Sequence, residues 1–257
     1  MGRRHLPLAG TQPVKPRVLV LAGNSGLGSG LIEALLLQAR FEVFATYRGD
    51  PEALRARYSG HGLDPDHHVI HADLTSYTEA GAAMRAVAEG GPLWGVVNLA
   101  GKSSARRLAR MDADEARAIF LDNALPALFV TKSALEVLPE NGLQGGRIVH
   151  VSSVTVRRPV PGTVPYVAGK AAVEGIVRAA AEEGGRHGIT VNALRLGYFE
   201  AGMTAGVPDA ILATVVSATP AGRLGSLADL THAVSTLLSE ESSFLNGAVF
   251  DVDGGLT

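Results

Sequence analysis

Near its start the chain reads Arg17-Val-Leu-Val-Leu-Ala-Gly-Asn-Ser-Gly-Leu-Gly28, in which a short apolar run leads directly into closely spaced glycines. Apolar residues then recur at helical spacing through Leu31 and Ala34, so the pattern predicts a strand, a tight turn and a helix. Gly26 and Gly28 let the backbone turn sharply and let the helix start close to the strand. The exposed N–H groups and the positive end of such a helix can hold a pyrophosphate. An ordinary strand–helix turn remains the alternative for this motif taken alone.

The rest of the chain repeats this alternation of short apolar runs and helical stretches. Candidate strands lie near residues 18, 42, 69, 96, 148, 192 and 249, and long helices are predicted over about 112–138 and 165–187. Such alternation indicates a parallel sheet that is covered by helices on both faces. We therefore predict one α/β domain over residues 17–257, with a doubly wound, seven-stranded parallel sheet. Residues 1–16 are expected to form a flexible tail, and the segment 199–220, which interrupts the alternation, a substrate lid.

Composition excludes several classes of protein. The 257 residues are 46% hydrophobic and 19% charged, which is typical of a packed globular domain. Cysteine is absent, which excludes disulfides, thiol nucleophiles, iron–sulfur clusters and cysteine-ligated zinc, and we predict no metal site. A formal charge of −2 gives no strong field to recruit nucleic acid or an anionic membrane. No apolar run approaches a membrane span of about 20 residues, and the lack of cysteine fits a reducing, cytoplasmic location.

Polar and glycine-rich groups follow the third and fourth predicted strands. Asp73-Leu74 comes after the strand near residue 69, and Asn98-Leu-Ala-Gly101 comes after the strand near residue 96. In a doubly wound sheet these groups and the glycine turn meet at the carboxyl ends of the strands, where ligands bind.

A possible proton-transfer group follows the fifth strand, which ends in Val151-Ser152-Ser153. Tyr166 and Lys170 lie at i and i+4 near the start of the next helix, and therefore on one face of it. A nearby ammonium favours the phenolate and would lower the pKa of the tyrosine, while a serine hydroxyl can donate to a substrate carbonyl. A core tyrosine beside a lysine that reaches to solvent is the alternative for the pair alone.

Taken together and in order, these motifs resemble the short-chain dehydrogenase/reductase family, in the branch that includes 3-oxoacyl-[acyl-carrier-protein] reductases. The resemblance covers almost the whole chain from about Arg17 and implies a Rossmann-type fold. The matching segments are Gly26-Leu-Gly28, Asp73-Leu74, Asn98-Leu-Ala-Gly101, Asn123, Val151-Ser-Ser153, Tyr166-Val-Ala-Gly-Lys170, Gly188-Ile-Thr-Val-Asn192, Gly222-Arg-Leu-Gly225 and Asn246-Gly-Ala-Val-Phe-Asp-Val-Asp-Gly-Gly255.

The resemblance implies roles for four catalytic residues. Tyr166 would be the general acid in reduction, and Ser153 would polarise the carbonyl, since the serine of the family usually lies thirteen positions before the tyrosine. Lys170 would bind the nicotinamide ribose and lower the pKa of Tyr166, and Asn123 would hold a water molecule of the proton relay. Pro126 lacks an N–H and should distort the helix beside Asn123.

The cofactor is expected to be NADP(H). Tyr47 stands after the second strand where an acidic residue would favour NAD, and Arg48 follows with a guanidinium that suits a 2′-phosphate. A solvated surface arginine is the alternative, and Asp50 lies close by. The predicted cofactor-binding residues are Gly23, Asn24, Ser25, Gly26, Leu27, Arg48, Asp73, Leu74, Asn98, Ala100, Gly101, Tyr166, Lys170 and Phe199.

The chain departs from the family pattern at several positions. Ala22 replaces the first glycine of the turn, which alanine tolerates if its φ is negative, and Leu99 replaces a second asparagine. Leu196-Gly197 replaces Pro-Gly, and Ala201 replaces a threonine that often contacts the carboxamide. None of these changes removes a catalytic group, and together they suggest a specialised relative.

We therefore predict an NADPH-dependent ketoreductase for a ketone or 3-oxoacyl-type carbonyl, in polyketide-like metabolism. The alternatives are an alcohol dehydrogenase that acts oxidatively on a sugar, steroid or other small alcohol, and a non-catalytic NADP-binding regulatory protein. An acidic carrier protein is a further candidate partner, for which Arg157-Arg158 and Arg186-His187 offer basic groups. Arg157-Arg158 could equally hold an acidic substrate or form a solvated turn. By analogy with the family we expect a homotetramer, with a dimer as the alternative.

Overall fold

The computed structural model describes residues 15–103, 105–140 and 142–257. Most of the predicted tail, residues 1–14, lies outside the described residues. Seven parallel strands form one sheet in the order β3-β2-β1-β4-β5-β6-β7, which confirms the predicted architecture. The strands are β1 (Arg17–Leu21), β2 (Glu42–Tyr47), β3 (Val69–His71), β4 (Leu93–Asn98), β5 (Gly146–Ser153), β6 (Ile189–Leu196) and β7 (Val249–Val252).

Helices flank the sheet and connect its strands. They are α1 (Gly26–Gln38), α2 (Glu52–Gly60), α3 (Pro65–His68), α4 (Tyr77–Glu89), α5 (Ala113–Val137), α6 (Val164–Gly185), α7 (Asp209–Ala218) and α8 (Leu227–Leu238). Short 3-10 turns cover Leu108–Arg110, Leu138–Glu140, Val154–Val156, Gly202–Gly206 and Glu240–Phe244.

The core consists of two apolar layers, one on each face of the sheet. Along β1, Val18 and Val20 belong to the layer that also contains α1 and α8, while Leu19 and Leu21 belong to the layer with α4, α5 and α6. Successive side chains of a strand point to opposite faces, so a strand between two helix layers must be apolar at every position. This is why β1 is a continuous apolar run.

Some helices differ from the sequence predictions. The alternation of apolar runs and helical stretches did not predict α2, α3 or α8. The start of α8 does carry a sequence signal, because Ser226 and Asp229 form a capping box there. The predicted lid contains a 3-10 turn and α7 rather than an open loop.

Helix α5 continues through Pro126 to Val137 without a break. Within the described residues, one helical segment, Ala113–Glu140, is long and apolar enough to cross a membrane by length and composition alone. Of its most apolar window, 50% is buried inside the fold, as in the core helix of a globular protein, so this is weak evidence for a span.

Candidate active site

The glycine turn packs closely where the sequence places its glycines. A Cβ atom on Gly28 would lie 2.6 Å from the Ala22 carbonyl oxygen, and one on Gly26 would lie 2.9 Å from the Gly202 nitrogen. Ser25 caps α1, and its Oγ accepts a hydrogen bond of 3.0 Å from the Gly28 N–H. Glycine at these two positions therefore lets the start of α1 pack closely against the end of β1 and against the Gly202 backbone.

Ala22 contradicts the expectation of a negative φ. Its φ is +61°, in the left-handed region that glycine adopts without cost. The surrounding contacts enforce this conformation, because the Ala22 N–H donates to Thr46 Oγ1 at 3.1 Å and its carbonyl accepts from the Ser25 N–H at 3.1 Å. The turn thus keeps the glycine-type geometry despite the side chain.

A cavity of about 180 Å³ lies beside the turn, at the carboxyl ends of the strands. Asn24, Arg48, Asp73, Leu74, Ala100 and Gly101 are the predicted cofactor residues that line it. The other lining residues, which were not predicted to bind the cofactor, are Ala22, Thr46, Tyr47, Ala72, Thr75, Lys102, Asp122 and Pro126. Each lies within three positions of a predicted site residue, so proximity to such a residue in the chain was the available signal.

Arg48 and Asp73 both line this cavity and contact each other. Arg48 Nη1 lies 3.3 Å from one oxygen of Asp73, and 3.9 Å from Asp122 Oδ1, while 55% of its side chain is exposed. Burial raises the pKa of Asp73, but hydrogen bonds from Thr75 and the charge of Arg48 outweigh it and hold the pKa below its usual value. A positive and a negative group therefore flank the cavity.

Other predicted cofactor residues point into the protein. Gly23 packs against β2, where its N–H donates to the Thr46 carbonyl at 2.8 Å. Phe199 is 2% exposed, and its ring packs so closely against Gly225 that a Cβ atom on that glycine would collide with it. Leu27 lies against Gly202.

Asn98 is also buried and acts within the protein. Its Oδ1 accepts from the Ala100 N–H at 3.0 Å, and its Nδ2 lies 3.2 Å from His150 Nδ1. This residue orients the strand end that lines the cavity rather than facing the cavity itself.

The structure brings Ser153, Tyr166 and Lys170 together. Ser153 is hydrogen-bonded to Tyr166, and its Oγ accepts from Thr155 Oγ1 at 2.9 Å. The neighbouring Ser152 instead donates to Glu174 Oε1 at 2.8 Å. The arrangement therefore favours Ser153 over Ser152 as the hydroxyl beside the tyrosine.

Lys170 is buried, and its ammonium is held by the backbone. Nζ donates to the Ala100 and Val151 carbonyl oxygens at 3.0 and 2.9 Å and lies 6.0 Å from the centre of the Tyr166 ring. Burial lowers the pKa of Lys170 to about 8. This buried cation is anchored at the strand ends, next to the cavity.

The pKa of Tyr166 departs from the expected direction. Burial raises it, the hydrogen bond with Ser153 lowers it, and Tyr198 raises it further, so the net shift is upward. The lysine alone would lower this pKa, but burial of the phenol disfavours its charged form more strongly. The net effect of the surroundings is therefore to favour the protonated form of the Tyr166 hydroxyl.

Asn123 meets Lys102 between α5 and the strand ends. Its Nδ2 donates to the Lys102 and Ile119 carbonyl oxygens at 2.8 and 2.7 Å, and its Oδ1 accepts from the Lys102 N–H at 3.3 Å. A Cβ on Gly101 would lie 2.7 Å from Asn123 Oδ1 and 2.8 Å from Lys170 Nζ. The glycine therefore allows the amide and the ammonium to approach the same point.

Comparisons with known proteins show which families and proteins the chain is similar to. A family model described as enoyl-(acyl carrier protein) reductase matches residues 21–257. The chain is 34% identical over 195 residues to a (3R)-3-hydroxyacyl-CoA dehydrogenase of Canis lupus familiaris, which covers 74% of each chain. It is 30% identical over 246 residues to the 3-oxoacyl-[acyl-carrier-protein] reductase MabA of Mycobacterium avium, which covers 95% of this chain and 90% of the relative.

A solved structure extends this similarity to the fold. A short-chain type dehydrogenase/reductase from Mycobacterium ulcerans superimposes with a TM-score of 0.85 at 27% identity. The match covers 94% of this chain and 89% of that chain.

Proposed function

The chain belongs to the short-chain dehydrogenase/reductase family and is an oxidoreductase that interconverts an alcohol and a carbonyl, and we propose that it is an NADPH-dependent ketoreductase. The observation that carries this proposal is the grouping of three buried side chains, Ser153, Tyr166 and Lys170, with Lys170 Nζ 6.0 Å from the centre of the Tyr166 ring. Burial also favours the protonated form of the phenol by raising its pKa, and a group that gives a proton to a carbonyl oxygen must first hold that proton.

The described residues fit a nicotinamide dinucleotide. The N–H groups at the start of α1, which follows the glycine turn directly, suit a pyrophosphate, and the cavity lined by Arg48 and Asp73 suits the adenosine end. Lys170 offers an ammonium for the nicotinamide ribose. When bound, the cofactor supplies the hydride.

The residues around the carbonyl have separate tasks in this proposal. The Ser153 hydroxyl donates a hydrogen bond to the carbonyl oxygen and orients it, and the Tyr166 hydroxyl gives its proton to that oxygen as charge develops there. Lys170 stabilises the resulting phenolate by its positive charge. Asn123 holds the water through which the proton is replaced.

Arg48 supports the preference for NADPH. Its contacts to Asp73 are long, at 3.3 and 3.4 Å, and its side chain is more than half exposed, so the guanidinium can turn toward a 2′-phosphate. The uncharged Tyr47 precedes it. A carboxylate that would repel the phosphate and hold a ribose hydroxyl is therefore missing from the last position of β2.

We propose a 3-oxoacyl thioester or related ketone as the substrate. The named relatives act on 3-hydroxyacyl-CoA and 3-oxoacyl-[acyl-carrier-protein]. Arg157 pairs with Asp251 at 2.8 Å, and Arg158 donates to the Leu256 carbonyl, so this basic pair is partly occupied. A carrier protein is thus the less supported form of the substrate, and the departures from the family pattern favour specialised, polyketide-like metabolism.

The proposal includes how the chains associate and where the protein is located. We expect a cytoplasmic homotetramer that associates through α5, α6 and the edge strand β7. Phe120 and Leu128 on α5 leave 38% and 47% of their surfaces exposed, which suits a subunit contact. A monomer in light scattering at working concentration would contradict this assembly.

Steady-state reduction of acetoacetyl-CoA, a carrier-linked 3-oxo thioester and free ketones, with NADPH and with NADH, tests the proposed function. We expect NADPH-selective turnover, which Tyr166→Phe lowers by about 10² to 10⁴ while NADPH binding is retained. Arg48→Ala should raise the KM for NADPH by about tenfold or more and leave the KM for NADH unchanged. Arg55→Ala is the matched control, because Arg55 is also a partly exposed arginine that pairs with a carboxylate, Asp66, and it does not line the cavity.

The other outcomes are equally informative. Turnover that prefers NADH would show that Arg48 does not select the cofactor. Net oxidation of alcohols with no reduction of ketones would favour an alcohol dehydrogenase. Binding of NADPH without turnover of any ketone or alcohol would favour a non-catalytic binding protein.

A further inference from the structure

Two histidines and a glutamate meet at the amino-terminal edge of the sheet. Glu42 begins β2, and His67 and His68 end α3, just before β3. One ligand atom from each of the three lies within 4.8 Å of the other two. The Nε2 atoms of His67 and His68 lie 3.8 and 3.7 Å from the same carboxylate oxygen, Glu42 Oε1. We propose that Glu42, His67 and His68 form a zinc site with one coordination position open to water.

His68 is held in the orientation that a metal ligand needs. Its side chain is buried, and its ring stacks between Phe44 and Tyr58, with centroid distances of 4.9 and 5.6 Å. Nδ1 lies 2.8 Å from the Asp64 carbonyl oxygen, and only a protonated Nδ1 can donate to that acceptor. In the neutral ring Nε2 then carries the lone pair that can bind a metal, and Nε2 is the atom that lies near Glu42 Oε1. Metal-binding histidines commonly donate their other N–H to a backbone carbonyl in this way.

Glu42 directs one oxygen to the histidines because the other is engaged. Its Oε2 accepts from Arg17 Nε at 2.8 Å, and Arg17 is itself anchored through Nη1 to the Val87 carbonyl at 2.8 Å. The guanidinium orients the carboxylate, but its positive charge also opposes a cation at Oε1. We therefore expect weaker binding than at a site without this arginine.

The separations of the two histidine donors from Glu42 Oε1 are close to those of a small tetrahedral ion, and all three donors lie within 4.8 Å of one another. With metal–ligand bonds of about 2.0 to 2.1 Å, two ligands of tetrahedral zinc lie about 3.4 Å apart. The 3.7 and 3.8 Å separations are too long for a hydrogen bond and exceed this value by a few tenths of an ångström. His67 is half exposed, so it can adjust and gives the ion a path from solvent.

The chemistry of the donors favours zinc over magnesium or calcium. Two imidazoles and one carboxylate are typical zinc ligands, whereas magnesium and calcium require mainly oxygen. We predicted no metal site from a sequence without cysteine, in which Glu42 is far from His67 and His68 along the chain. Pairing of β2 with β3 brings them together.

The proposed ion would act on stability rather than on turnover. It would join the start of β2 to the end of α3, whereas Arg48 and the cofactor cavity lie beyond the opposite end of β2, about 17 Å away for a strand of six residues. Because of this separation, zinc binding can be lost without loss of the proposed reductase activity, and the reverse also holds.

Titration of the metal-stripped full chain with zinc, in competition with a chromogenic chelator, tests the site. We expect one zinc ion per chain and a Kd that rises at least about tenfold in both His67→Gln and Glu42→Gln. Zinc should raise the thermal unfolding midpoint of the wild-type chain but not of His67→Gln, and magnesium should leave it unchanged. His71→Gln is the matched control, because His71 is exposed and lies 3.9 Å from a single carboxylate, Glu79.

No saturable zinc binding, or zinc binding that survives His67→Gln unchanged, would overturn the proposal. The three groups would then form a histidine–carboxylate ion pair or share a water molecule. An equal loss in His71→Gln would also overturn it, because it would place the ion at the neighbouring strand. Reductase activity is measured on the same variants and is expected to remain unchanged, so either result leaves the proposed function separately testable.

Discussion

The left-handed backbone of Ala22 is the clearest strained feature at the scale of single residues. Alanine in this conformation costs about 1 kcal/mol or more relative to glycine, because its Cβ approaches the backbone carbonyl. Ala39, after α1, has the same conformation with a φ of +54°. Its position is the usual place for a glycine at the end of a helix. The two alanines therefore offer a paired test of backbone strain.

We predict that Ala22→Gly stabilises the protein by about 0.5–1 kcal/mol, because relief of strain exceeds the entropy that glycine adds to the unfolded chain. Ala39→Gly should act in the same direction. Ala34→Gly, in the middle of α1 where φ is negative, should instead destabilise by about 1 kcal/mol. Urea unfolding of the three variants measures these differences. A loss of stability in Ala22→Gly equal to that in Ala34→Gly would show that the turn is not strained.

A buried ion pair joins helix α6 to the sheet at the scale of elements. Glu174 lies one turn beyond Lys170 and accepts from Arg195 of β6 through both oxygens, at 2.9 and 2.8 Å. Ser152 donates to the same carboxylate, and Arg195 also donates to Asp251 of β7 at 2.5 Å. Both members of the pair are 6% exposed. This network fixes the helix that carries Tyr166 and Lys170 against the strands.

We predict that Arg195→Met destabilises the protein by about 3–5 kcal/mol, because it leaves Glu174 buried without its cation. Lys132→Met, which breaks the exposed pair with Glu136 on α5, should cost less than about 0.5 kcal/mol. Denaturant unfolding compares the two variants. Equal losses of stability in the two variants would mean that burial of the Glu174–Arg195 pair does not increase the cost of removing its cation.

A buried histidine couples the stability of the whole molecule to pH. His150 lies at the centre of β5, where Nε2 meets Thr131 Oγ1 at 2.9 Å and Nδ1 meets Asn98 at 3.2 Å. Burial, with a smaller effect from Lys170, lowers the pKa of His150 from 6.5 to about 3. Between these values the unfolded chain binds a proton at this site and the folded chain does not.

We therefore predict that stability is greatest above pH 6.5 and falls as the pH drops toward about 3. His150→Asn should reduce the steepness of this fall, whatever its effect at neutral pH, because it removes the group that takes up the proton on unfolding. His187→Asn, at an exposed histidine, is the control. The slope of the unfolding free energy against pH is the measurement, and an unchanged slope in His150→Asn would contradict the assignment.

Local patterns in the sequence predicted the strands, the glycine turn and the Tyr166–Lys170 pair. These features depend on residues a few positions apart, whose spacing already places them on one face or in one turn. The start of helix α8 also depends on residues close in the chain, since Ser226 and Asp229 form its capping box. The alternation of apolar strands and helices does not reveal this signal.

The sequence by itself determined the order of elements, the two-faced apolar sheet and the edge at which the site residues meet, because hydrophobic periodicity and chain direction are local properties. Tertiary structure alone decided the positive φ of Ala22, the upward shift of the Tyr166 pKa and the contact between Arg48 and Asp73. It also brought Glu42 to the histidine pair. Each of these features depends on burial or on contacts between distant segments. Both exist only after the chain has folded, and burial then decides whether the charged or the neutral form of a group is favoured.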